Sequence, residues 1–192
     1  MTLDEEGDAD PVLDLPELFG DSHPVEVEIG IGKGRFLLDA AERLPEVNFI
    51  GVEYAAKYLR LAHGRALRRG LTNIRFVHSD AREFLEFFLA TGSVQIIHLY
   101  FPDPWPKKRH HKRRIINAEF FREVIRILVP GGRLRLATDH DDYLEAMVEM
   151  LAEFPDDLVP VKGVWEGAHT NYEEKFLARG QQIHRRIFAT PS

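Results

Sequence analysis

A carboxylate and an indole lie between prolines, directly before a dense run of cations. Residues 101–106 read Phe-Pro-Asp-Pro-Trp-Pro, and residues 107–114 hold six Lys or Arg side chains. Asp103 can accept hydrogen bonds from the ring N–H and the amino group of a purine, and Trp105 offers a face for stacking on a base. The cations can neutralise the phosphates of a nucleic acid. We therefore predict a nucleic acid substrate, with backbone contacts at Lys108, Arg109, Lys112, Arg113 and Arg114.

A glycine-rich turn indicates a second site. Gly30, Gly32 and Gly34 follow an apolar run that ends at Ile29, and a helical pattern begins directly after them. Glycine lets the backbone turn sharply and come close to a ligand at the carboxyl edge of a sheet. A dinucleotide site would want a further glycine three residues after Gly32, where this chain has Arg35. The turn therefore favours a nucleoside without phosphates.

Three acids complete this second site. Glu28 lies near the end of the first predicted strand, Glu53 at the end of the second, and Asp80 after the third. Glu53 can hold both hydroxyls of a ribose, Asp80 can lie beside an adenine amino group, and Glu28 can face the amino group of an amino acid moiety. The alternatives are a surface role for Glu53 and a helix cap for Asp80. Because carboxylates would repel the phosphates of NAD, we predict S-adenosylmethionine as the cofactor and S-adenosylhomocysteine as its product.

The elements that must position these residues alternate along the chain. Apolar runs separate amphipathic runs, which is typical of an α/β fold with a parallel sheet and crossover helices. The predicted strands are Val25–Ile29, Asn48–Glu53, Ile74–His78, Val94–Phe101 and Arg133–Thr138, with an edge strand over residues 182–188. The predicted helices are Phe36–Arg43, Ala55–Arg69, Ala81–Ala90, Ala118–Leu128 and Asp141–Phe154, and Pro130-Gly131-Gly132 is predicted as a turn.

The composition favours one globular domain. The chain has 192 residues, is 44% hydrophobic and contains no cysteine, which excludes disulfides, thiolate zinc sites and cysteine nucleophiles. Residues 1–22 hold eight acids and no Lys or Arg, so we predict a flexible acidic segment before a single domain over residues 23–192. No run suits an export signal or a membrane span, which predicts a soluble cytoplasmic protein without a membrane partner. No metal site is expected, because His110 and His111 lack partners at ligand spacing.

These motifs together resemble one family. Over about residues 25–188 the chain is similar to the bacterial tRNA (guanine-N7-)-methyltransferases, through Glu28-x-Gly-x-Gly-x-Gly, Gly51-Val52-Glu53, Phe101-Pro-Asp-Pro-Trp-Pro-Lys107, Thr138-Asp139 and Thr170-Asn-Tyr-Glu173. The resemblance implies a Rossmann-like methyltransferase fold, mainly parallel, with helices on both faces and an antiparallel C-terminal edge. It implies cofactor contacts at Glu28, Glu53, Asp80 and Asp103, with Asp103 also catalytic. It further implies guanine contacts at Lys107, Asp139, Thr170, Asn171, Tyr172 and Glu173.

The reaction that the resemblance implies is methylation of guanine N7 in tRNA, at position 46 of the variable loop, to give 7-methylguanosine. Guanine N7 has an in-plane lone pair and loses no proton on methylation, so alignment matters more than a strong base. Asp103 is then expected to hold the N1–H and amino edge of guanine and to reject adenine. The alternatives are a turn residue for Asp103, a packing residue for Trp105 and a helix cap for Asp139.

Two other functions stay open on the sequence alone. One is methylation of a base amino group, which an acid-proline-aromatic turn also suits, and the other is RNA binding without catalysis. We expect no obligate protein partner, and either a monomer or a homodimer. The acidic N-terminal segment departs from the family, whose members commonly carry a longer, basic one. We hypothesise that residues 1–22 compete with RNA for the cations of residues 107–114 at low salt.

Overall fold

The computed structural model describes residues 12–105, 107–163, 170, 173, 176, 178–180 and 182–192, apart from the side chains of Lys108 and Lys112. Its strands are β1 Val25–Ile29, β2 Asn48–Val52, β3 Ile74–Val77, β4 Val94–Tyr100, β5 Leu128–Thr138, β6 Val159–Pro160 and β7 His184–Ala189. Its helices are α1 Leu15–Phe19, α2 Arg35–Arg43, α3 Ala56–Arg69, α4 Ala81–Phe88, α5 Ala118–Ile127 and α6 Asp141–Leu151. A 3₁₀ helix covers Lys108–Arg113.

One seven-stranded sheet organises these elements, in the order β3-β2-β1-β4-β5-β7-β6. The pairs among β1 to β5 are parallel, whereas β7 runs antiparallel to both β5 and β6. The strand order reverses between β1 and β4, and ligands of open α/β sheets bind outside the carboxyl ends of the strands at such a point. The predicted α/β class with an antiparallel C-terminal edge is confirmed.

Helices cover both faces of the sheet, because each face carries its own apolar cluster. Buried residues of α4, α5 and α6 pack in the larger cluster with β-strand residues such as Val27 and Ile97. Buried residues of α2 and α3 form the second cluster with Phe49, Tyr100 and Ala137. The loops at the carboxyl ends of β1, β2 and β4 are therefore held from two sides.

The fifth strand differs from its prediction. It begins at Leu128 rather than Arg133, and the predicted Pro130-Gly131-Gly132 turn lies inside it. Val94 pairs with Leu128 but Ile96 pairs with Arg133, so β5 has several extra residues opposite Gln95. A Cβ on Gly132 would lie 2.7 Å from the carbonyl oxygen of Val129, so a glycine is needed at this irregularity.

Part of the acidic N-terminal segment is attached to the domain. Leu15 is buried, the N–H of Leu13 donates to the carbonyl of Phe88 at 2.9 Å, and Arg75 donates to the carbonyl of Leu18. Asn48, the first residue of β2, donates to Asp21 at 2.6 Å. Residues 12–22 therefore reach the amino ends of the strands, on the side of the sheet opposite the carboxyl ends. Residues 1–11 lie outside the described part.

No helix among the described residues has both the length and the apolar character that crossing a membrane requires.

Candidate active site

A cavity of about 820 Å³ opens at the carboxyl ends of β1, β2 and β4. The predicted site residues in its wall are Glu28, Gly30, Gly32, Glu53, Asp80, Asp103, Arg113 and Thr170. The turn that carries Asp103 and the acids of the predicted cofactor site therefore share one hollow. This juxtaposition is the one that methyl transfer between two ligands requires.

The glycine turn has a backbone that other residues adopt with strain. Gly30, Gly32 and Gly34 have φ values of +73°, +52° and +72°, in the left-handed region. A Cβ on Gly34 would also lie 2.7 Å from the Cβ of Ala62, so this glycine lets α2 begin close against α3. The turn thereby brings the N–H of Gly32 to the cavity.

Glu53 is fixed by two backbone donors. Its Oε2 accepts from the N–H of Gly32 at 2.8 Å, and its Oε1 accepts from the N–H of Ala55 at 2.8 Å. Each carboxylate oxygen retains a second lone pair that can accept a hydrogen bond. The geometry thus presents an oriented carboxylate that suits the two hydroxyls of a ribose.

Glu28 is buried in the cavity wall and only partly satisfied. Its side chain accepts from the N–H of Leu37, but its Oε2 has no hydrogen-bond partner among the described residues, and Glu28 is 3% exposed. Burial raises the pKa of Glu28 well above its ordinary value, the Leu37 bond opposes this shift, and the charge of Glu53 adds to it. A cationic ligand group beside Oε2 would supply the missing partner. The orphaned oxygen therefore fits the ammonium group of S-adenosylmethionine.

Asp80 caps a helix, which is the alternative role for this residue, and it also lines the cavity. Its Oδ1 accepts from the N–H of Arg82 at 2.8 Å and caps α4. Capping uses one oxygen, so the other can face a ligand amino group. The adenine contact stays a prediction, because a cap and a ligand contact are compatible in this geometry.

Asp103 lies on a strained turn. Phe101 and Trp105 have φ values of +51° and +41°, which non-glycine residues rarely adopt. Such conformations persist where the surroundings hold them, and they are concentrated at functional sites. Asp103 lies between these two residues. It is exposed, it lines the cavity, and it is the only acid of residues 101–106.

The cationic run divides into exposed and buried members. Arg109 and Arg113 are exposed on the 3₁₀ helix, and the guanidinium of Arg113 lies 5.0 Å from the ring centre of Trp105. Lys107 is exposed just before the helix. Arg114 differs, since it is 9% exposed and its Nε donates to the carbonyl of Pro104 at 2.8 Å. Its predicted phosphate contact stays a prediction, but the structure turns its guanidinium inward.

The predicted guanine contacts of the C-terminal part are placed unevenly. Thr170 lines the cavity and exchanges hydrogen bonds with Glu173, as in a capping box: the N–H of Glu173 donates to Thr170 Oγ1 at 3.0 Å, and the N–H of Thr170 donates to Glu173 Oε2 at 3.3 Å. The Glu173 carboxylate is buried and paired with Arg185. Asn171 and Tyr172 lie outside the described residues. Asp139 follows β5 and is half-buried, and Lys107 is exposed; both lie outside the described cavity wall.

A buried polar chain beneath the cavity was not predicted. His98 Nε2 lies 2.7 Å from Glu26 Oε2, and its Nδ1 lies 2.6 Å from the hydroxyl of Tyr100, which lines the cavity. Burial lowers the pKa of His98, and the neighbouring Glu26 partly opposes this shift. The sequence contains a signal for these hydrogen-bonded residues, because polar residues alternate with apolar ones along β1 and over His98-Leu99-Tyr100 at the end of β4. Arg82 of the cavity wall was also missed.

Comparisons with known proteins agree with this geometry. A family model described as "Putative methyltransferase" matches residues 22–186. The tRNA (guanine-N(7)-)-methyltransferase of Geobacillus kaustophilus is 39% identical over 175 residues, which cover 88% of this chain and 80% of that protein. The enzyme of the same name from Leifsonia xyli is 43% identical over 182 residues, covering 92% and 79%. This chain belongs to the tRNA (guanine-N(7)-)-methyltransferase family. The membership confirms the predicted family, the predicted kind of enzyme and its cofactor, S-adenosylmethionine.

Solved structures with lower identity share the fold of this tRNA (guanine-N(7)-)-methyltransferase family member. TrmN from Thermus thermophilus aligns with a TM-score of 0.63 at 23% identity, over 92% of this chain and 47% of that chain. The aminoglycoside resistance methyltransferase NpmB1 aligns with a TM-score of 0.61 at 21% identity, over 92% of both chains. These likenesses establish the methyltransferase fold.

Proposed function

We propose that this enzyme transfers the methyl group of S-adenosylmethionine to N7 of the guanine at position 46, in the variable loop of tRNA. The product is 7-methylguanosine. The observation that carries the proposal is that Glu53, on the cofactor side, and Asp103, on the base side, line one cavity of about 820 Å³.

The cofactor side of the cavity is built from backbone and carboxylates. Glu53 is held by two N–H groups and is oriented for the ribose. Glu28 offers a buried oxygen without a partner among the described residues to the ammonium group. Asp80 caps α4 through one oxygen and lines the cavity, where its other oxygen suits the adenine amino group. When bound, S-adenosylmethionine supplies an electrophilic methyl group on a sulfonium.

The base side selects guanine. Asp103 accepts hydrogen bonds from the N1–H and the amino group of guanine, and its negative charge supports the positive charge that develops on the ring. Adenine lacks this pair of donors, so its binding would leave the carboxylate unsatisfied. Trp105, in the same cavity wall, offers an apolar face beside the base.

The transfer needs alignment rather than deprotonation. The N7 lone pair forms a bond to the methyl carbon while the carbon–sulfur bond breaks, and the electrons of that bond stay on sulfur. No proton leaves guanine, so no general base is required. Holding N7 about 3–3.5 Å from the methyl carbon, in line with sulfur, can lower the barrier by roughly 7–11 kcal/mol.

The exposed cations beside the cavity suit the tRNA backbone. Arg113 is exposed and lines the cavity, and Lys107 and Arg109 are exposed within six residues of Asp103 along the chain. Their charges raise the local concentration of a polyanion and orient it toward the cavity. A cytoplasmic location, and a monomer or homodimer without an obligate partner, complete the proposal.

A methyl-transfer assay on two tRNAs tests the proposal. One transcript carries guanine at position 46 and its matched control carries adenine there. We expect 7-methylguanosine from the first and no methylated nucleoside from the second. An amino-methylated base would favour the amino-group alternative, and equal 7-methylguanosine from both transcripts would contradict the site.

A further inference from the structure

The last cation of the run, Arg114, lies inside the protein. It caps the 3₁₀ helix, with its N–H donating to the carbonyl of His111, and it is 9% exposed, whereas Arg109 and Arg113 are exposed. A guanidinium that contacts phosphates must reach solvent, so Arg114 is poorly placed for that task. Its polar groups point instead toward the elements that form the cavity wall.

The side chain of Arg114 holds the turn that carries Asp103. Its Nε donates to the carbonyl of Pro104 at 2.8 Å, one residue after Asp103 and one before Trp105, whose φ is +41°. Hydrogen bonds from a charged donor are stronger than those from a neutral one. The bond therefore acts on the peptide that precedes Trp105, one of the two non-glycine residues of positive φ in this turn, and stabilises the turn against relaxation.

The backbone of Arg114 is tied to the cofactor side. Its carbonyl accepts from Nη2 of Arg82 at 2.6 Å, and the N–H of Arg82 in turn donates to Asp80 at 2.8 Å. Asp80, Arg82 and Asp103 all line the cavity. A continuous path of hydrogen bonds thus runs from the cap of α4 to the Asp103 turn, with Arg114 at its centre.

An aromatic ring fixes the guanidinium of Arg114. Its Cζ lies 4.5 Å from the ring centre of Tyr143, a buried residue of α6. Burial raises the pKa of Tyr143 to about 12, so its ring is a neutral phenol at ordinary pH. A planar guanidinium can stack on this ring and donate sideways through Nε, which a lysine ammonium cannot do.

We infer that Arg114 is a positioning residue, which fixes Asp103 relative to the cofactor side of the cavity, rather than a contact to the tRNA backbone. The inference rests on the proposed function for its kinetic readout. Because misplacement by about 1 Å can cost about 10²-fold in rate, loss of this brace is expected to lower kcat while the tRNA contacts are kept.

The test compares Lys and Gln variants of Arg114 with variants of two exposed arginines: Arg109 of the 3₁₀ helix, which is a proposed phosphate contact, and Arg122 of α5, which lies outside the described cavity wall. We expect Arg114→Lys to lower kcat by about 10²-fold while the salt dependence of tRNA binding stays as in the wild type. Arg122→Lys should keep kcat, and Arg109→Gln should flatten the slope of log K against log salt by about 0.7–0.9. If Arg114→Lys keeps wild-type turnover and Arg114→Gln flattens the slope as Arg109→Gln does, the inference is wrong.

A second readout does not need tRNA. The sequence has two tryptophans, Trp105 and Trp165, so Trp165→Phe leaves Trp105 as the single tryptophan. In this background Arg114→Lys is expected to increase the mobility of Trp105, seen as faster decay of fluorescence anisotropy, while Arg122→Lys leaves it unchanged. An unchanged decay in Arg114→Lys would overturn the inference even if the enzyme methylates tRNA. If the wild type transfers no methyl group to tRNA, the proposed function fails, and the anisotropy still decides the role of Arg114.

A variant of Arg82, at the other end of the hydrogen-bond path, tests the inference if the Arg114 variants do not fold. Arg82→Gln removes the donor to the Arg114 carbonyl from an exposed side chain, so the core is untouched. We expect the same pattern of lower kcat and unchanged salt slope, with a mobile Trp105. A wild-type kcat and a wild-type Trp105 in this variant would contradict the proposed path.

Discussion

Replacing Glu28 by glutamine is expected to stabilise the cofactor-free enzyme and to weaken cofactor binding. Glu28 is 3% exposed, and its Oε2 has no partner among the described residues. Leaving a buried polar group unsatisfied costs about 1–3 kcal/mol, and more for a charged group. A glutamine keeps an oxygen for the N–H of Leu37 but removes the buried charge and its repulsion with Glu53.

The size of both effects follows from this burial. A gain of about 1 kcal/mol raises the Tm of a domain of this size by about 2–4 °C. A lost hydrogen bond to the ligand ammonium removes about 1.5–3 kcal/mol of binding free energy, which weakens affinity by about 10- to 150-fold. Thermal unfolding without cofactor and calorimetry with S-adenosylhomocysteine measure the two quantities.

The stability effect must depend on pH. The pKa of Glu28 is raised well above its ordinary value of 4.5 in the folded protein. Above that ordinary value the unfolded chain loses the proton that the folded chain still holds, so the wild type loses stability as pH rises across the window that begins near 4.5. The Tm difference between Glu28→Gln and the wild type should therefore grow with pH.

Glu53→Gln is the matched control, and its expected change in Tm has the opposite sign. Both oxygens of Glu53 accept backbone N–H groups at 2.8 Å, and the amide nitrogen of Glu53→Gln cannot accept either bond. Glu53→Gln should therefore lower the Tm. If Glu28→Gln also lowers the Tm, by an amount that does not change with pH, the reasoning about the orphaned oxygen is refuted.

Three further predictions concern turnover, salt and acid. Asp103→Asn should lower kcat by at least tenfold, on the order of one lost charge-assisted contact; near-normal turnover with intact cofactor binding would remove Asp103 from catalysis. Charge reversal at Arg109 and Arg113 should weaken tRNA binding and flatten its salt dependence, as filter binding at several salt concentrations would show, and an unaltered slope would exclude both from the interface. The lowered pKa of His98 means that the unfolded chain takes up a proton before the folded one, so stability should fall as pH drops below about 6.5. His98→Gln should flatten this loss in a pH series of unfolding curves, and an unchanged acid limb would contradict it.

The residues of the predicted cofactor site come together at one cavity, as their positions along the chain indicate, because they are constrained locally. The glycines at 30, 32 and 34 have left-handed backbones that the turn requires, and they directly follow a strand whose bounds the apolar run defines. An acid at the end of each following strand then lies at the same edge of the parallel sheet. At this site, the local sequence pattern and the position at the strand ends both indicate the same edge of the sheet.

Residues whose role depends on distant partners could not be predicted. The six cations of residues 107–114 have the same charge pattern, and only the three-dimensional contacts with Pro104 and Tyr143 distinguish Arg114. Glu173 pairs with Arg185, which lies on a strand that returns antiparallel to β5. Such pairings are set by topology rather than by spacing along the chain.

The short helix α1, Leu15–Phe19, was not predicted from the sequence. Asp14 caps α1 through the N–H of Glu17 at 3.0 Å, and Gly20 ends it with a φ of +84°. Both are ordinary helix-boundary signals, but the eight acids of residues 1–22 favoured a flexible segment. The apolar residues among these acids, such as Leu15, pack on the domain and explain the difference.

In the proposed reaction, the cavity aims the lone pair of guanine N7 at the methyl group. The most direct measurement uses a tRNA whose guanine at position 46 is replaced by 7-deazaguanine, in which a C–H group stands in place of N7 and the N1–H and amino edge is kept. We expect this tRNA to bind the enzyme as tightly as the unmodified one and to accept no methyl group. Methyl transfer to the 7-deazaguanine tRNA would show that another atom is the acceptor and would contradict the claim.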